Sequence, residues 1–578
     1  MPTLRYATRW QSLTMNPLPS TPMRVSHRRG RSVKELVAAR VSGLSGAARQ
    51  VALAAAALSH PTAATLARAL PAEDDVRAAL LEAEEAGVLV AERERIRFAH
   101  PLLASVIYGS ASAERRRQLH ARLAAVVDDT EERGRHLALS ATEPEETTAA
   151  ELEQAARQAA RRGAQQAAAD LYEASRRLTP GGQAAEVARR TLGEASALLA
   201  AGDVAGARSL GERAAATSIP SLHAEALFLL GDITWISGEQ RKAVEFLEQA
   251  LAETQGDREL AARIYAKLVN FTVNHDPARA IEHSDAAMKL LSPERDSAAL
   301  AYVLFDRLWA GIRLGHGEEE GLFERWRELE AKAGPEAPKS PIPLIYFWSV
   351  DDFEAARERH AIEDRWYRER GEEVWRAERL AHLAVAELRA GRWDLAEQYV
   401  EEGCSAIAQL ETPGPWTSPF RLRALVDAHR GRTERARATL LPLIEDAERA
   451  GQPFWEALFL SSLGFVEFAH GNHRAADEAL TRMRERLDAI GTRDLPPEWS
   501  EPFHIESLLA LGELQRARDV LERLEERGRV FPRLWIDVTL PRARALVLAA
   551  EGDLEAALAA LDELDLDAAA RLPFDLAW

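Results

Sequence analysis

From residue 149 onward the apolar positions recur at helical spacing, and turn-forming residues interrupt them at a near-constant interval. The turns fall at Gly163, Gly202, Gly238, Asp276, Gly315, Asp352, Gly391, Gly431, Gly471, Gly512 and Gly552, separated by 36 to 41 residues. Five residues after most of these stands alanine: Ala168, Ala207, Ala243, Ala396, Ala436, Ala476, Ala517 and Ala557. Four further on comes a large apolar side chain, as at Leu247, Val400, Leu440, Leu480, Leu521 and Leu561. Seven before the turn lies a small residue: Ala195, Gly231, Ala384, Ala424, Gly464 or Ala545.

Each mark has a packing reason. Glycine ends one helix where the backbone turns left-handed. The small residues let two helices of a hairpin approach closely, and the alanine/apolar pair at i, i+4 fills one stripe of the second helix. This is the tetratricopeptide arrangement on a longer period than the usual ~34 residues. HEAT-like hairpins share the longer period but lack the glycine-to-alanine spacing. The pattern therefore predicts an all-α chain whose residues 149–578 form a tetratricopeptide-like superhelix of about eleven hairpins. The sequence stops at Arg571–Trp578, the apolar start of a further first helix, so the array reads as cut off mid-repeat with a self-associating end.

The preceding residues differ. Residues 1–31 carry five arginines before Gly30, no acid and several prolines, and read as a disordered basic tail. Residues 32–107 read as a winged-helix domain: an amphipathic helix from Ser32, a second capped by Ser45, a short one after Pro61-Thr62, and one capped by Asp74. Two strands, Val88–Ala91 and Ile96–Phe98, follow. Residues 108–148 are a helical connector. The helix that would enter a DNA groove, 74–86, holds Asp74, Asp75, Glu82, Glu84 and Glu85 against Arg77 alone. That face opposes phosphate, so no direct DNA binding is expected.

Composition narrows the function. With 73 basic and 91 acidic residues among 578, the net charge of −18 disfavours nucleic acid and anionic membrane as partners. A single cysteine, Cys404, excludes a disulfide framework and any multi-cysteine metal site. No apolar run approaches the ~18 residues of a membrane span, and a cytoplasmic location is the expectation. No catalytic constellation and no metal site emerge. His470 and His473 lack further ligands, and Leu344–Phe347 before Asp351-Asp352 imitates a nucleotide-site strand but falls on a repeat turn.

Arg97-Phe-Ala-His-Pro-Leu102, Arg115-Arg-Arg-Gln-Leu-His-Ala-Arg-Leu-Ala124, Gly134-Arg-His-Leu-Ala-Leu139, Arg162-Gly-Ala164 and Leu178-Thr-Pro180 carry a resemblance. These runs resemble the middle of the large ATP-binding LuxR-family transcriptional regulators, a branch of the signal-transduction ATPases with numerous domains. The resemblance covers residues 32–578, with its sharp motifs in 88–180. It implies a nucleotide-binding domain before the winged helix, a tetratricopeptide-like sensor after it, and a C-terminal LuxR-type DNA reader. This chain holds no Gly-x-x-x-x-Gly-Lys-Ser/Thr phosphate loop and no such DNA-binding helices. ATP is thus implied only for the family's ATPase domain, and no cofactor is expected in this chain. His100 matches the family's winged-helix histidine that contacts nucleotide phosphate; the other reading is a partly buried histidine hydrogen-bonded in a strand-to-helix corner.

First helices of such hairpins line a concave groove, with positions six, three and two before the turn projecting inward. That register selects Asp232, Trp235, Asn270, Asn274, Trp309, Arg313 and Tyr346 as a ligand groove. Seven of thirteen tryptophans fall between 309 and 416, which favours an aromatic-walled site for a protein, peptide or small-molecule inducer. Two functions follow. One is the sensing portion of a LuxR-type ATP-dependent regulator, with no catalysis in this chain. The other is a free-standing tetratricopeptide-like adaptor for a protein or peptide partner.

Overall fold

The structure, a computed structural model, describes residues 40–577 apart from 72–74, 93–94, 255, 336, 338–339, 341, 371, 410–417 and 496–498. The basic stretch 1–31, the start of the first amphipathic helix, Asp74, Trp416 and Trp578 lie outside the described residues. The chain separates into two compact units, one ending at Val127 and one beginning at Asp128.

The first unit contains α1 (Gly46–Ala57), α2 (Ala63–Ala69), α3 (Val76–Glu85), β1 (Leu89–Glu92), β2 (Arg95–Phe98), α4 (Pro101–Ser110) and α5 (Ala113–Val126). Ser45 Oγ accepts from the Ala48 N–H and Thr62 Oγ1 from that of Thr65, each at 3.1 Å, so both hydroxyls satisfy otherwise orphaned helix donors. Asp75 is the residue that caps α3, accepting from Arg77 and Ala78 N–H. The strands pair antiparallel, Leu89 opposite Phe98. Val51, Leu66, Val88 and Leu123 are fully buried in one core. Because α4 and α5 pack against α1 and α2, the unit extends to 127. The division at 127/128 falls inside the stretch 108–148 read from the sequence as a connector.

The second unit opens with α6 (Thr130–Ser140), which packs on the first of eleven helical hairpins among the described residues. These are α7/α8 (Glu146–Arg161, Gln165–Arg177), α9/α10 (Ala184–Ala201, Val204–Ala214) and α11/α12 (Pro220–Ile236, Gln240–Ala252). Next come α13/α14 (Arg258–Thr272, Pro277–Leu290), α15/α16 (Ser297–Arg313, Leu322–Ala333) and α17/α18 (Ile342–Ser349, Phe353–Arg370). Then follow α19/α20 (Glu373–Arg389, Trp393–Ala408), α21/α22 (Ser418–His429, Thr433–Arg449) and α23/α24 (Pro453–Ala469, His473–Ala489). The last are α25/α26 (Glu501–Ala510, Leu514–Val530) and α27/α28 (Leu534–Glu551, Leu554–Leu561), followed by the short α29 (Leu566–Ala569) and α30 (Pro573–Ala577).

The packing within hairpins is tetratricopeptide-like. Ala168, Ala207, Ala243, Ala396, Ala436, Ala476 and Ala517 are all fully buried, as are Leu247, Val400, Leu440 and Leu480. A Cβ built on Gly231 would lie 2.9 Å from Leu247 Cδ2, and one on Gly464 would lie 2.5 Å from Leu480 Cγ. Glycine at these positions is what lets the paired helices touch. At the far end Leu554, Leu558, Leu561 and Leu566 stay exposed, because no further hairpin covers that face among the described residues.

Two turns sit one residue earlier than the spacing indicated. The left-handed residue of the sixth hairpin is Asp351 (φ 63°), with Asp352 accepting from Ala355 N–H at the start of α18. In the fourth hairpin Asp276 is likewise the cap of α14, accepting from Arg279 N–H, so the equivalent turn residue is His275. Counting five from 275 and 351 gives Ala280 and Ala356, both fully buried. The alanine mark is therefore present in these repeats too.

The hairpins wind tightly enough for distant ones to touch. Gln165 Nε2 donates to the Arg370 carbonyl at 3.2 Å, Gln452 Nε2 to that of Gly238 at 2.5 Å, and Trp535 N–H to Asp351 Oδ2 at 2.8 Å. Arg493 N–H donates to the Arg313 carbonyl at 2.7 Å. Each contact joins a hairpin to one four to six further along. A buried charge cluster braces the later partner: Asp494 accepts from Arg527 Nε at 3.0 Å and Arg533 Nη2 at 2.9 Å.

Candidate functional site

Winding brings the first helices of successive hairpins face to face around an enclosed interior. One chamber there spans about 620 Å³, part of it open to solvent, with walls from six hairpins in a row, the fourth to the ninth. Its walls are largely aromatic: Trp309 from α15, Trp348 from α17, and Phe454 and Trp455 from α23. Polar groups enter from Asn274, His382, Ser418 and Arg421. The Nε1 donors of Trp348 and Trp455 and Nδ1 of His382 are buried with no hydrogen-bond partner among the described residues. Leaving such a donor unmade costs about 1–3 kcal/mol. Burial first, then the charges of Arg379 and Arg421, hold His382 well below the ordinary histidine range, so it is neutral and stacks on Trp348. Beside the chamber, burial pushes the carboxyl of Glu378 up to about 7.

Arg421 also borders a second chamber of about 610 Å³. There Arg389, His429, Phe465, Trp499 and Phe503 meet Phe574 and Asp575 of the terminal segment. His429 Nδ1–H donates to the Leu425 carbonyl at 2.8 Å, and burial pulls its pKa down to about 4. His275 at about 3, and His283 and His360 at about 4, are depressed for the same first reason. Unfolded histidine titrates near 6.5. Above that pH neither state takes up these protons. Between 6.5 and 4 the unfolded chain binds more of them, so stability falls as pH falls. Each such histidine contributes up to about 1.4 kcal/mol per pH unit within that window. Thermal melts from pH 7 to pH 4 should show a progressive loss, and His429→Phe should make it shallower; a flat profile would contradict the neutral buried state.

The residues selected from sequence divide into two groups. Trp309 and Asn274 line the first chamber. Arg313 is fully buried at its rim, donating to Asn274 Oδ1 at 2.9 Å and Thr492 Oγ1 at 2.9 Å, with its guanidinium 4.7 Å from the Phe454 ring centroid. The others are engaged elsewhere. Asp232 pairs with Lys267 at 3.0 Å, and Trp235 stacks on Phe271 at 4.0 Å. Asn270 donates to Asp306, whose carboxyl burial pushes up to about 7. Tyr346 donates to Glu318 Oε2 at 3.2 Å and packs against Phe305. His100 is exposed, not partly buried, and its Nδ1 accepts from Leu102 N–H at the start of α4.

The other chemical candidates also resolve. Cys404 is buried, its thiol pushed up to about 11 by burial. Leu344–Phe347 is helical rather than a strand. Among the described residues no cluster of three metal-ligating side chains occurs.

The one-residue offset at Asp351 explains what the sequence register missed. Counted from 351, the inward positions are Ile345, Trp348 and Ser349, and the first two line the chamber. The same count in the next three hairpins gives nine positions, of which Leu388, Arg389, Leu425, His429 and Phe465 line the second chamber and Val385, Ala428, Phe468 and Ala469 do not.

Three solved structures are among those to which the chain is similar. A signal-transduction ATPase with numerous domains carrying a tetratricopeptide repeat sensor, from Pyrococcus horikoshii, aligns at TM-score 0.36 and 11% identity over 80% of this chain and 66% of its own. The APC/C hetero-tetramer Cut9-Hcn1 aligns at TM-score 0.34 and 14% identity, over 81% of this chain and 97% of that one. A Rap protein complexed with Competence and Sporulation Factor aligns at TM-score 0.35 and 10% identity, over 72% and 100%. The chain thus spans 66% of the length of the first. No protein-family model matches the sequence. No curated protein matches it either.

Proposed function

We propose that the second unit is the ligand-sensing helical repeat of a LuxR-type ATP-dependent transcriptional regulator, binding an inducer in the tryptophan-walled chamber without transforming it. The observation that carries the binding role is the pair of buried, unpartnered indole N–H groups of Trp348 and Trp455 in an aromatic chamber assembled from six hairpins. The regulator context rests on the motifs of residues 88–180 alone. In this reading the first unit is the family's winged helix acting as a packing arm. Its α3 presents exposed Asp75, Glu84 and Glu85, a surface that repels DNA. ATP belongs to the family's nucleotide domain, and this chain carries no catalysis. Among the described residues no helix is long and apolar enough to cross a membrane, and a cytoplasmic location fits.

A thermal-shift screen of peptides and polar small molecules on the full chain tests the role. Trp348→Phe with Trp455→Phe keeps the aromatic walls while deleting both donors, and should weaken a stabilising ligand at least tenfold. Undiminished affinity in that variant, or in one lacking Trp309, would remove this chamber as the site.

An adaptor is the second reading, favoured by the exposed leucines of α28 at positions 554, 558 and 561, which a partner protein or second copy would cover. A stable partner complex independent of nucleotide would select it.

A further inference from the structure

The second chamber has an occupant supplied by the chain itself. Helix α30 lies across it, with the Phe574 ring centroid 4.6 Å from His429, 6.0 Å from Trp393 and 6.2 Å from Phe465. Pro573 rests on Gly391, where an added Cβ would come within 2.5 Å of the proline Cγ. Arg571 donates to the Asp351 carbonyl at 3.0 Å. The segment is thus seated on residues more than 100 positions earlier, through an aromatic ring, a proline and a guanidinium.

The wall facing it is cationic. Arg389 is 6% exposed, with its guanidinium 4.4 Å from the Trp499 ring centroid. It pairs with Asp351 at 2.8 Å, yet neither of its Nη atoms has an aligned hydrogen-bond acceptor among the described residues. Asp351 is already held by Trp535 N–H. Asp575 on the terminal segment also lines this chamber: burial holds its carboxyl above the usual carboxylate range, while the charge of Arg389 and a hydrogen bond from the Trp535 side chain favour its ionised form.

We propose that this chamber is a peptide site selective for an aromatic residue followed by a carboxylate, with Phe574-Asp575 as its internal occupant and a partner segment of the same chemistry as its external one. The inference rests on the reading of the concave face as a sensor surface, and adds the ligand class and a built-in competitor. It explains why the chamber wall combines Phe465 and His429 with Arg389: the rings take the aromatic side chain and the guanidinium takes the acid.

The test uses the full chain and a fluorescein-labelled peptide, Arg-Leu-Pro-Phe-Asp-Leu-Ala. The double variant Phe574→Ala/Asp575→Asn should bind it at least tenfold more tightly than the parent does, and replacing either Phe or Asp in the peptide should cost at least tenfold. In the unmutated chain, saturating peptide should accelerate amide exchange across 571–577, a readout that needs no variant. A folded double variant that ignores the peptide, or equal binding of a scrambled peptide, would each overturn the proposal. Ligands that still protect the first chamber in the thermal-shift screen would then show that only the peptide site fails and the sensor reading stands.

Discussion

Leu480→Ala should lower the unfolding free energy by about 2–5 kcal/mol, and adding Gly464→Ala should restore part of that loss. Leu480 is fully buried on α24, and its Cγ lies 2.5 Å from where a Cβ on Gly464 of α23 would be. With Leu480 present, Gly464→Ala overpacks the helix contact at a cost of about 1–3 kcal/mol, against a gain of only ~1 kcal/mol from replacing a helical glycine. Once the leucine is truncated the space opens and the same substitution becomes favourable. Denaturant melts of the four proteins in this cycle should give a coupling above ~0.5 kcal/mol. Strict additivity would mean that the paired helices do not approach at the small-residue mark, which would undo the packing account of the whole repeat.

Arg313→Ala should cost about 3–5 kcal/mol, an effect larger than its place at a hairpin end suggests. The side chain is fully buried, and burial lowers its pKa to about 9, which still leaves it charged at neutral pH. Its planar fork donates to the carbonyls of Val273 and Asn274, to Asn274 Oδ1 and to Thr492 Oγ1. Truncation strands these acceptors and unpins the fifth hairpin from the loop after the ninth. Arg313→Lys keeps the charge but supplies a single point donor instead of a fork, so its loss should lie between those of the parent and the alanine variant. Equilibrium unfolding of the three chains measures the series; a loss below ~1 kcal/mol for alanine would show that the crossing contributes little.

The hairpin array was legible because its marks are local. A left-handed turn needs glycine at Gly391, Gly431 or Gly471, and close helix contact needs a small residue seven before it, so both leave traces that a single sequence exposes. Where aspartate or histidine replaces the glycine, the trace blurs. Asp352 was the more conspicuous cap, but Asp351 adopts the positive φ, and the one-residue slip exchanged Trp348 for Tyr346 in the inward register. The place of α4 and α5 is not legible locally for a related reason: they are helices like those that follow, and their packing on α1 and α2 is what groups them with the first unit.

The enclosed interior was not legible. Spacing says that first helices face inward, but not that the coil tightens until Arg313 meets Thr492, because that depends on the angle between hairpins summed over five of them. The seat of Phe574 against His429 is invisible for the same reason, since nothing local to residues 571–577 names a partner 145 positions earlier.

The central claim is that the array closes on itself and so encloses its binding chambers. Cysteines at positions 315 and 493 test this directly, because a Cβ on Gly315 would lie 3.2 Å from Arg493 Cβ, close to the ~3.8 Å of a disulfide. With Cys404→Ala as background, mild oxidation of Gly315→Cys/Arg493→Cys should give a quantitative intramolecular crosslink in the folded chain, reversed by reductant. Free thiols that persist under those conditions, or crosslinks found only between molecules, would contradict the account.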